Sequence, residues 1–261
     1  MSIKKNIRVI NPIVSDSIDV PRTYNRELAS GPYEGSNIKV SQETITIGTR
    51  QIESEYDEVL CIPQTLSLAI KAEREGVDAI VINCMSDPGL SAIREAVNIP
   101  VIGPNQAAMN TANMLGQKFG IVVLSKEVIT IHEKLATCYG FSSRLVAVEP
   151  SGIHAHKIGE LLENDEQEFF RILGDAAVAA VNKGAHSIIL GCTGFLGCAS
   201  GIKDYLTQQG MADVPVIDPI PNAILSAAKL CELRLTHSKK AYPQPLIQPR
   251  FGYDDSWVLL K

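Results

Sequence analysis

Two cysteines occupy matching places in two similar segments of the chain. Cys84 lies eight residues after Gly76, and Cys192 lies eight residues after Gly184. An aliphatic run precedes each cysteine, and a Pro-Val-Ile sequence follows further along. Short β-branched runs bounded by glycine and turn residues are typical of buried strands. Because ligands of α/β sheets bind at the carboxyl ends of the strands, we expect both thiols at the rim of a pocket.

Turn-forming residues follow both cysteines, at 85–89 and 193–194. A free thiol is only a few per cent thiolate at neutral pH. Backbone N–H groups and a helix dipole at a strand-to-helix turn lower a thiol pKa, so we expect activated thiols here.

Two matched thiols favour proton transfer over covalent catalysis. A lone nucleophilic cysteine usually works with a histidine, and neither cysteine has one nearby in sequence. Two thiols on either side of a flat carbanion can remove a proton from one face and return one to the other. This is racemisation or epimerisation by two bases, and it requires neither metal nor cofactor. The alternative is that both cysteines are small buried residues at strand ends.

Strand and helix patterns alternate along the chain. Strands are predicted at 7–10, 38–41, 79–82, 101–102, 119–124, 145–148, 187–190 and from Pro215. Helices are predicted near 19–29, 53–75, 106–117, 128–138, 165–183 and 223–235, with a short one after Gly89. Pro63 should end or kink the second of these helices.

This alternation indicates parallel sheets covered by helices, and the matched segments indicate a duplication. The predicted fold class is α/β: two similar Rossmann-like lobes with parallel four-stranded sheets and pseudo-two-fold symmetry, and the active site in the cleft between them. We expect residues 1–103 and about 216–261 in lobe one, and residues 104–215 in lobe two.

Composition excludes several classes of protein. The formal net charge of −5 and the single tryptophan argue against a nucleic-acid partner. No apolar run reaches the ~18 residues of a membrane helix, and Arg8, Asn11 and Pro12 interrupt the N-terminal apolar stretch. Six scattered cysteines are typical of free thiols in the cytoplasm, and their spacing fits no zinc site, so no metal is expected. The proline-containing tail from His237 is a candidate contact in a homo-oligomer.

Four motifs resemble those of the hydantoin racemases, which include allantoin racemases, within the aspartate/glutamate racemase superfamily. The motifs are Asn11-Pro12, Ile52-Glu53-Ser54 with Asp57-Glu58, Cys84 with Asp87-Pro88-Gly89-Leu90, and Gly191-Cys192-Thr193-Gly194. The resemblance runs from Ile10 to about Leu235. Apart from it, the acidic residues at 53–58 are interpreted as charges at a helix start, which favour the helix dipole.

The resemblance implies a cofactor-independent racemase of 5-monosubstituted hydantoins, allantoin among them. It implies that Cys84 and Cys192 are the acid/base pair, each serving one enantiomer. The residues that it places around the substrate are Asn11, Ser86, Ser125 and Thr193. The chain departs from the family at Pro104-Asn105 and Asp218-Pro219, where relatives usually carry small residues; we expect both positions to face the cleft.

Three classes of function stay open at this stage. Hydantoin racemisation suits the residues because the C5 proton lies next to a carbonyl and its removal gives a delocalised anion. Amide donors aimed at the oxygen can contribute ~3–4 kcal/mol each. The alternatives are another superfamily reaction on a small carboxylate (an amino-acid racemase or a maleate-type isomerase) and a non-catalytic small-ligand binding protein.

Overall fold

The computed structural model describes residues 4–14, 31–33, 36–254 and 257–260. The helix expected near 19–29 lies outside these ranges. Within them, the chain forms two parallel four-stranded sheets flanked by helices, which confirms the predicted α/β class. No helix in the described ranges is both long enough and apolar enough to cross a membrane.

The first sheet has the strand order β2-β1-β3-β4. Its strands are β1 (Lys5–Asn11), β2 (Ile38–Thr44), β3 (Ala79–Ile82) and β4 (Val101–Ile102). Its helices are α1 (Glu55–Arg74) and α2 (Leu90–Ala96), followed by α3 (Pro104–Leu115) at the junction with the second sheet. Every residue of β3 is buried, as its unbroken aliphatic sequence predicts for a central parallel strand.

The second sheet has the equivalent order β6-β5-β7-β8. Its strands are β5 (Phe119–Val123), β6 (Leu145–Pro150), β7 (Ser187–Leu190) and β8 (Val216–Ile217). The helices along this part of the chain are α4 (Ile129–Cys138), α5 (Ile158–Asn164), α6 (Glu166–Asn182), α7 (Ala199–Gln208) and α8 (Pro219–Glu232). The strand β7 takes the place in this sheet that β3 takes in the first, so the duplication read from the sequence is present in the topology.

The chain returns to the first lobe through α8. Ala223, Ile224 and Ala227 of this helix lie in one core cluster with Ile7 and Val81 of the first sheet. The preceding strand β8, by contrast, pairs with β7 of the second sheet. The second sheet therefore extends through residue 217, and α8 is the first element after it that packs on the first sheet.

Pro63 lies inside α1, which continues to Arg74, so the prediction that the proline could end the helix was wrong. The helix instead begins at an N-cap, where the side chain of Ser54 accepts a hydrogen bond from the backbone N–H of Asp57. Buried residues on its inner face include Cys61, Thr65 and Ala69. Their packing compensates for the hydrogen bond that a proline cannot donate.

Candidate active site

Cys84 lies just beyond the carboxyl end of β3, as the sequence predicts. The backbone N–H of Cys84 donates to the carbonyl of Ile82 (2.9 Å), which turns the chain sharply after the strand. Its side chain is half-buried, and Sγ lies 3.3 Å from Oγ of Ser86. A hydroxyl at this distance can donate to a thiolate or accept from a thiol.

Cys192 lies at the equivalent position beyond β7. It is the N-cap of a short 3₁₀ helix, Thr193–Phe195, and its sulfur accepts a hydrogen bond from the N–H of Gly194 (3.3 Å). This side chain is also half-buried. Each thiol therefore has one nearby hydrogen-bonding group two residues further along its own loop.

The two cysteine loops meet at the junction of the lobes. Thr193 Oγ1 donates to the carbonyl oxygen of Asn83 (3.3 Å), which joins the residue after Cys192 to the residue before Cys84. Cys84 is also one of the charges that raise the pKa of Cys192, so the two sulfur atoms lie within electrostatic reach of each other.

The two loops also exchange apolar side chains. Met85 packs into a cluster with Ile121 and Ile189 of the second sheet. Leu196, from the Cys192 loop, packs into a cluster with Val81 of the first sheet and Ile220 of α8. Each cysteine loop is thus held by the core of the opposite lobe as well as by its own strand.

Burial raises the pKa of both thiols. The pKa of Cys84 rises to about 11 and that of Cys192 to about 12, mainly because desolvation disfavours the thiolate. The expectation that the turns lower these pKa values was wrong, because a hydrogen bond from Ser86 or Gly194 compensates for only part of the desolvation. Both groups are therefore protonated at neutral pH, and each thiolate, once formed, is a stronger base than an ordinary one.

Carboxylates from the start of α1 act on the thiols. Glu58 hydrogen-bonds Ser86, has its own pKa raised by burial, and raises the pKa of Cys84. Glu53 raises the pKa of Cys192, and its Oε1 accepts from the N–H of Ala155 (3.4 Å). The interpretation of the acids at 53–58 as helix-start charges is confirmed for Glu55, Asp57 and Glu58, which lie in the first turn of α1, but it missed the effect of Glu58 and Glu53 on the thiols. What pointed to Glu53 and Glu58 in the sequence was that both lie in one of the four motifs that resemble those of the racemase family.

Asn11 is connected to the Cys84 loop through Asn83. The Nδ2 group of Asn83 donates to Oδ1 of Asn11 (2.7 Å), and Nδ2 of Asn11 donates to Thr44 Oγ1 (2.8 Å). Asn11 thus ends β1 next to the loop that carries the first thiol. Asn83 was not among the predicted site residues, although it directly precedes Cys84 and joins both Asn11 and Thr193.

The remaining predicted residues differ in their placement. Ser86 and Thr193 lie in the thiol loops, with the contacts given above. Ser125 is buried just after β5, beside Glu127, whose pKa its hydroxyl lowers. Its Oγ has no hydrogen-bond partner among the described residues.

Asp87 anchors the Cys84 loop to the start of α3. Its buried carboxylate accepts from the N–H groups of Asn105 and Gln106 (both 3.0 Å) and from the hydroxyl of Tyr139 (2.7 Å). Burial nevertheless raises the pKa of Asp87 to about 6. A Cβ atom on Gly103 would lie 2.4 Å from Cγ of Asp87, so only glycine fits there.

The two departures from the family pattern are structural. Asn105 does not face the cleft as expected, because it is fully buried beneath the Cys84 loop. Asp218 caps α8 by accepting from the N–H of Ile220 (3.3 Å) and also accepts from the N–H of Gly197 (2.7 Å). Among the described residues, no three His, Cys, Asp or Glu side chains are grouped so as to hold a metal ion.

Comparison with known proteins agrees with this geometry. A family model described as Asp/Glu/hydantoin racemase matches residues 9–227, which include both thiol loops. The chain belongs to this racemase family. It is therefore an isomerase of the racemase type.

Three relatives show how far the similarity extends. A hydantoin racemase of Pseudomonas sp. (strain NS671) is 32% identical over 242 residues, covering 92% of this chain and 91% of that protein. A hydantoin racemase of Rhizobium meliloti is 30% identical over 256 residues, covering 95% and 98%. The structure of an allantoin racemase from Klebsiella pneumoniae matches with a TM-score of 0.83 at 26% identity, covering 95% and 97%.

Proposed function

We propose that this racemase acts on 5-monosubstituted hydantoins, allantoin among them, by two-base proton transfer between Cys84 and Cys192. The observation that carries the proposal is the pair of half-buried thiols at the ends of equivalent strands, close enough for one to raise the pKa of the other. The names of the relatives support the choice of substrate class.

The proposed reaction needs one thiolate and one thiol. The thiolate takes the C5 proton and becomes a thiol, and the electron pair of the C–H bond delocalises onto the adjacent carbonyl. The second thiol then gives its proton to the opposite face of the carbanion and becomes a thiolate. The enzyme ends in the mirror-image protonation state, and the reverse reaction starts from there. General acid–base transfer of this kind contributes ~10²–10⁴-fold, and no cofactor is required.

Hydrogen-bond donors near the thiols are suited to the carbonyl groups of such a ring. We propose that Asn11, Ser86, Ser125 and Thr193 contact the substrate together with the backbone N–H groups of the thiol loops. A donor aimed at the oxygen where charge develops contributes ~3–4 kcal/mol. The buried Oγ of Ser125 has no partner among the described residues, so it is available to a substrate group.

The charges around the thiols favour a neutral ring over a free carboxylate. The charges that raise the pKa of Cys84 are Glu58 and Asp87, and Glu53 raises that of Cys192. A substrate carboxylate placed between the thiols would be repelled by this negative field. A hydantoin carries no such group, and its ring N–H groups can donate to carboxylates.

Optical rotation of single-enantiomer substrates tests the proposal. We expect loss of rotation with a 5-monosubstituted hydantoin or allantoin and no change of rotation with L-aspartate; maleate is achiral, so its conversion to fumarate is followed by absorbance, and none is expected. Cys138→Ser, which alters an exposed thiol on α4, is the matched control for substitutions of Cys84 and Cys192. It should behave as the unmodified enzyme. Turnover of aspartate or maleate instead, or stabilisation by a hydantoin without loss of rotation, would contradict the proposal.

We propose further that the protein works in the cytoplasm as a homo-oligomer, without nucleic acid or membrane as a partner. All six cysteines are free, which suits a reducing compartment. Leu246 and Phe251 in the tail are 83% and 86% exposed, although His237 and Val258 on either side bind to the first lobe. Their exposed apolar surface suits a second copy of the chain. Sedimentation should give more than one subunit, and Leu246→Ser with Phe251→Ser should reduce that number.

A further inference from the structure

A buried asparagine below the Cys84 loop uses both of its amide hydrogens. Nδ2 of Asn105 donates to the carbonyl of Met85 (2.8 Å) and lies 3.1 Å from Nδ1 of His132. A carbonyl oxygen can only accept, so the contact with Met85 identifies this end of the side chain as the NH₂ group. Nδ1 of His132 must then be an acceptor.

His132 continues the chain of hydrogen bonds into the second lobe. The ring also lies near the backbone of Gly191, and this neighbour acts to raise the pKa of the histidine, as a carbonyl oxygen does. Since Nδ1 accepts from Asn105, the ring hydrogen is on Nε2, which is the atom that can donate to that oxygen. Burial outweighs this contact and lowers the pKa of His132 to about 4, so the ring is neutral, as its acceptor role requires.

The chain links one cysteine loop to the other. Met85 directly follows Cys84, and Gly191 directly precedes Cys192. On their other sides, the same two cysteines are joined by the bond from Thr193 to the carbonyl of Asn83. Both sequence neighbours of Cys84 are thus connected to a sequence neighbour of Cys192.

Burying the polar side chains of Asn105 and His132 among apolar residues costs free energy. Asn105 is fully buried and His132 is 3% exposed. The loop residue bonded to Asn105, Met85, packs among apolar residues that include Met109 and Ile131. The Oδ1 atom of Asn105 has no hydrogen-bond partner among the described residues. Burying an unpaired polar atom costs ~1–3 kcal/mol, so packing alone does not account for this pair.

We propose that Asn105 and His132 are positioning residues that set the separation and relative orientation of the Cys84 and Cys192 loops. This inference rests on the proposed two-thiol racemisation for its role in catalysis. Neither side chain has to touch the substrate, because each acts through the backbone of a residue next to a thiol. A displacement of about 1 Å between catalytic groups can cost ~10²-fold in rate.

A substrate-free measurement tests the positional claim by itself. Bis-methanethiosulfonate reagents of increasing spacer length are reacted with the protein, and peptide mapping gives the yield of the Cys84–Cys192 cross-link for each spacer. In the unmodified enzyme we expect one spacer length to be clearly preferred. In Asn105→Leu and in His132→Phe that preference should broaden, while the rate at which each thiol reacts singly stays the same.

Kinetics then test the catalytic consequence. Both variants should lower kcat for racemisation by ~10²-fold in both directions with little change in KM. Solvent deuterium should still enter recovered substrate, because each thiol can still remove a proton from its own enantiomer. The ratio of deuterium in recovered substrate to deuterium in inverted product should therefore rise.

The matched control is Ser187→Ala, which alters a fully buried side chain on β7 without breaking the chain of hydrogen bonds. It should leave both the spacer preference and kcat unchanged. Each of the two test variants interrupts the chain of hydrogen bonds from a different side chain, so one folded variant suffices. The inference is overturned if a folded variant keeps the spacer preference of the unmodified enzyme. It is also overturned if deuterium exchange into recovered substrate and racemisation decrease equally. If the unmodified enzyme racemises nothing but the spacer preference broadens, the proposed function fails and the positional claim stands.

Discussion

Thr193 and Asn83 are joined by a 3.3 Å hydrogen bond from the hydroxyl of one to the backbone carbonyl of the other. The bond connects the end of β7 in one lobe to the end of β3 in the other, at the residues that adjoin Cys192 and Cys84. A duplicated fold has thereby placed two equivalent strand ends side by side. The chemistry proposed for the site depends on this juxtaposition, because each half of the duplication supplies one thiol.

The pH dependence of racemisation follows from the thiol pKa values. With the pKa of Cys84 at about 11 and that of Cys192 at about 12, only a small fraction of the enzyme has the required thiolate near neutrality. We expect kcat/KM to rise by about tenfold per pH unit between about pH 6 and about pH 9. Initial rates in a constant-ionic-strength buffer series measure this. A plateau reached below about pH 8 would show that one thiol is already ionised.

The stability of the folded protein should decrease at high pH, whereas the rate of racemisation should increase. Both thiols have pKa values above the usual 9.0 in the folded protein, so they favour the folded state while they are protonated. This contribution is complete below about pH 9 and is lost as the pH rises through the folded values. The free energy of unfolding in urea should therefore decrease above pH 9, and the decrease should be smaller in Cys84→Ser with Cys192→Ser.

Glu58 should control the reactivity of Cys84, and Glu53 that of Cys192. Glu58→Gln removes a charge that raises the pKa of Cys84, and Glu53→Gln does the same for Cys192. We expect iodoacetamide at about pH 8 to alkylate Cys84 ~3-fold faster in the first variant and Cys192 ~3-fold faster in the second. Each variant is the control for the other. Equal acceleration of both thiols in either variant would refute the one-to-one assignment.

Gly103→Ala should release the Cys84 loop from α3. The added Cβ would lie 2.4 Å from Cγ of Asp87, which must then leave the N–H groups that it accepts from. Overpacking of this kind costs ~1–3 kcal/mol, and we expect kcat to fall as well because the loop carries the thiol. The control is Gly140→Ala, where a Cβ meets no atom within 4 Å but the φ of +80° adds strain of about 1 kcal/mol. Thermal unfolding and kcat should separate the two variants; an unchanged kcat in Gly103→Ala would contradict the anchoring role.

The sequence predicted the parts of the site that depend on local pattern. The run from Ala79 to Ile82 and its counterpart from Ser187 to Leu190 are the strands that the aliphatic residues indicate. Since parallel strands present their carboxyl ends at one edge, the place of Cys84 and Cys192 followed directly. The helices α5 and α7 were not predicted, because both are short and no long apolar period marks them.

The sequence did not predict what depends on contacts between distant residues. Glu53 and Glu58 have the spacing of ordinary helix-start acids, and only the packing of α1 brings them to the thiols. The raised thiol pKa values likewise depend on burial, which the turn-forming residues after each cysteine do not reveal. Asn105 and His132 are 27 positions apart, and nothing in their local sequence indicates that they meet.

The most direct test of the two-thiol account is solvent-deuterium exchange at C5 of each enantiomer of a 5-monosubstituted hydantoin, measured with Cys84→Ser and with Cys192→Ser. The account predicts that neither variant racemises. It also predicts that each variant still exchanges the C5 proton of one enantiomer, and that the two variants serve opposite enantiomers. Racemisation at the normal rate by either variant, or exchange of the same enantiomer by both, would contradict it.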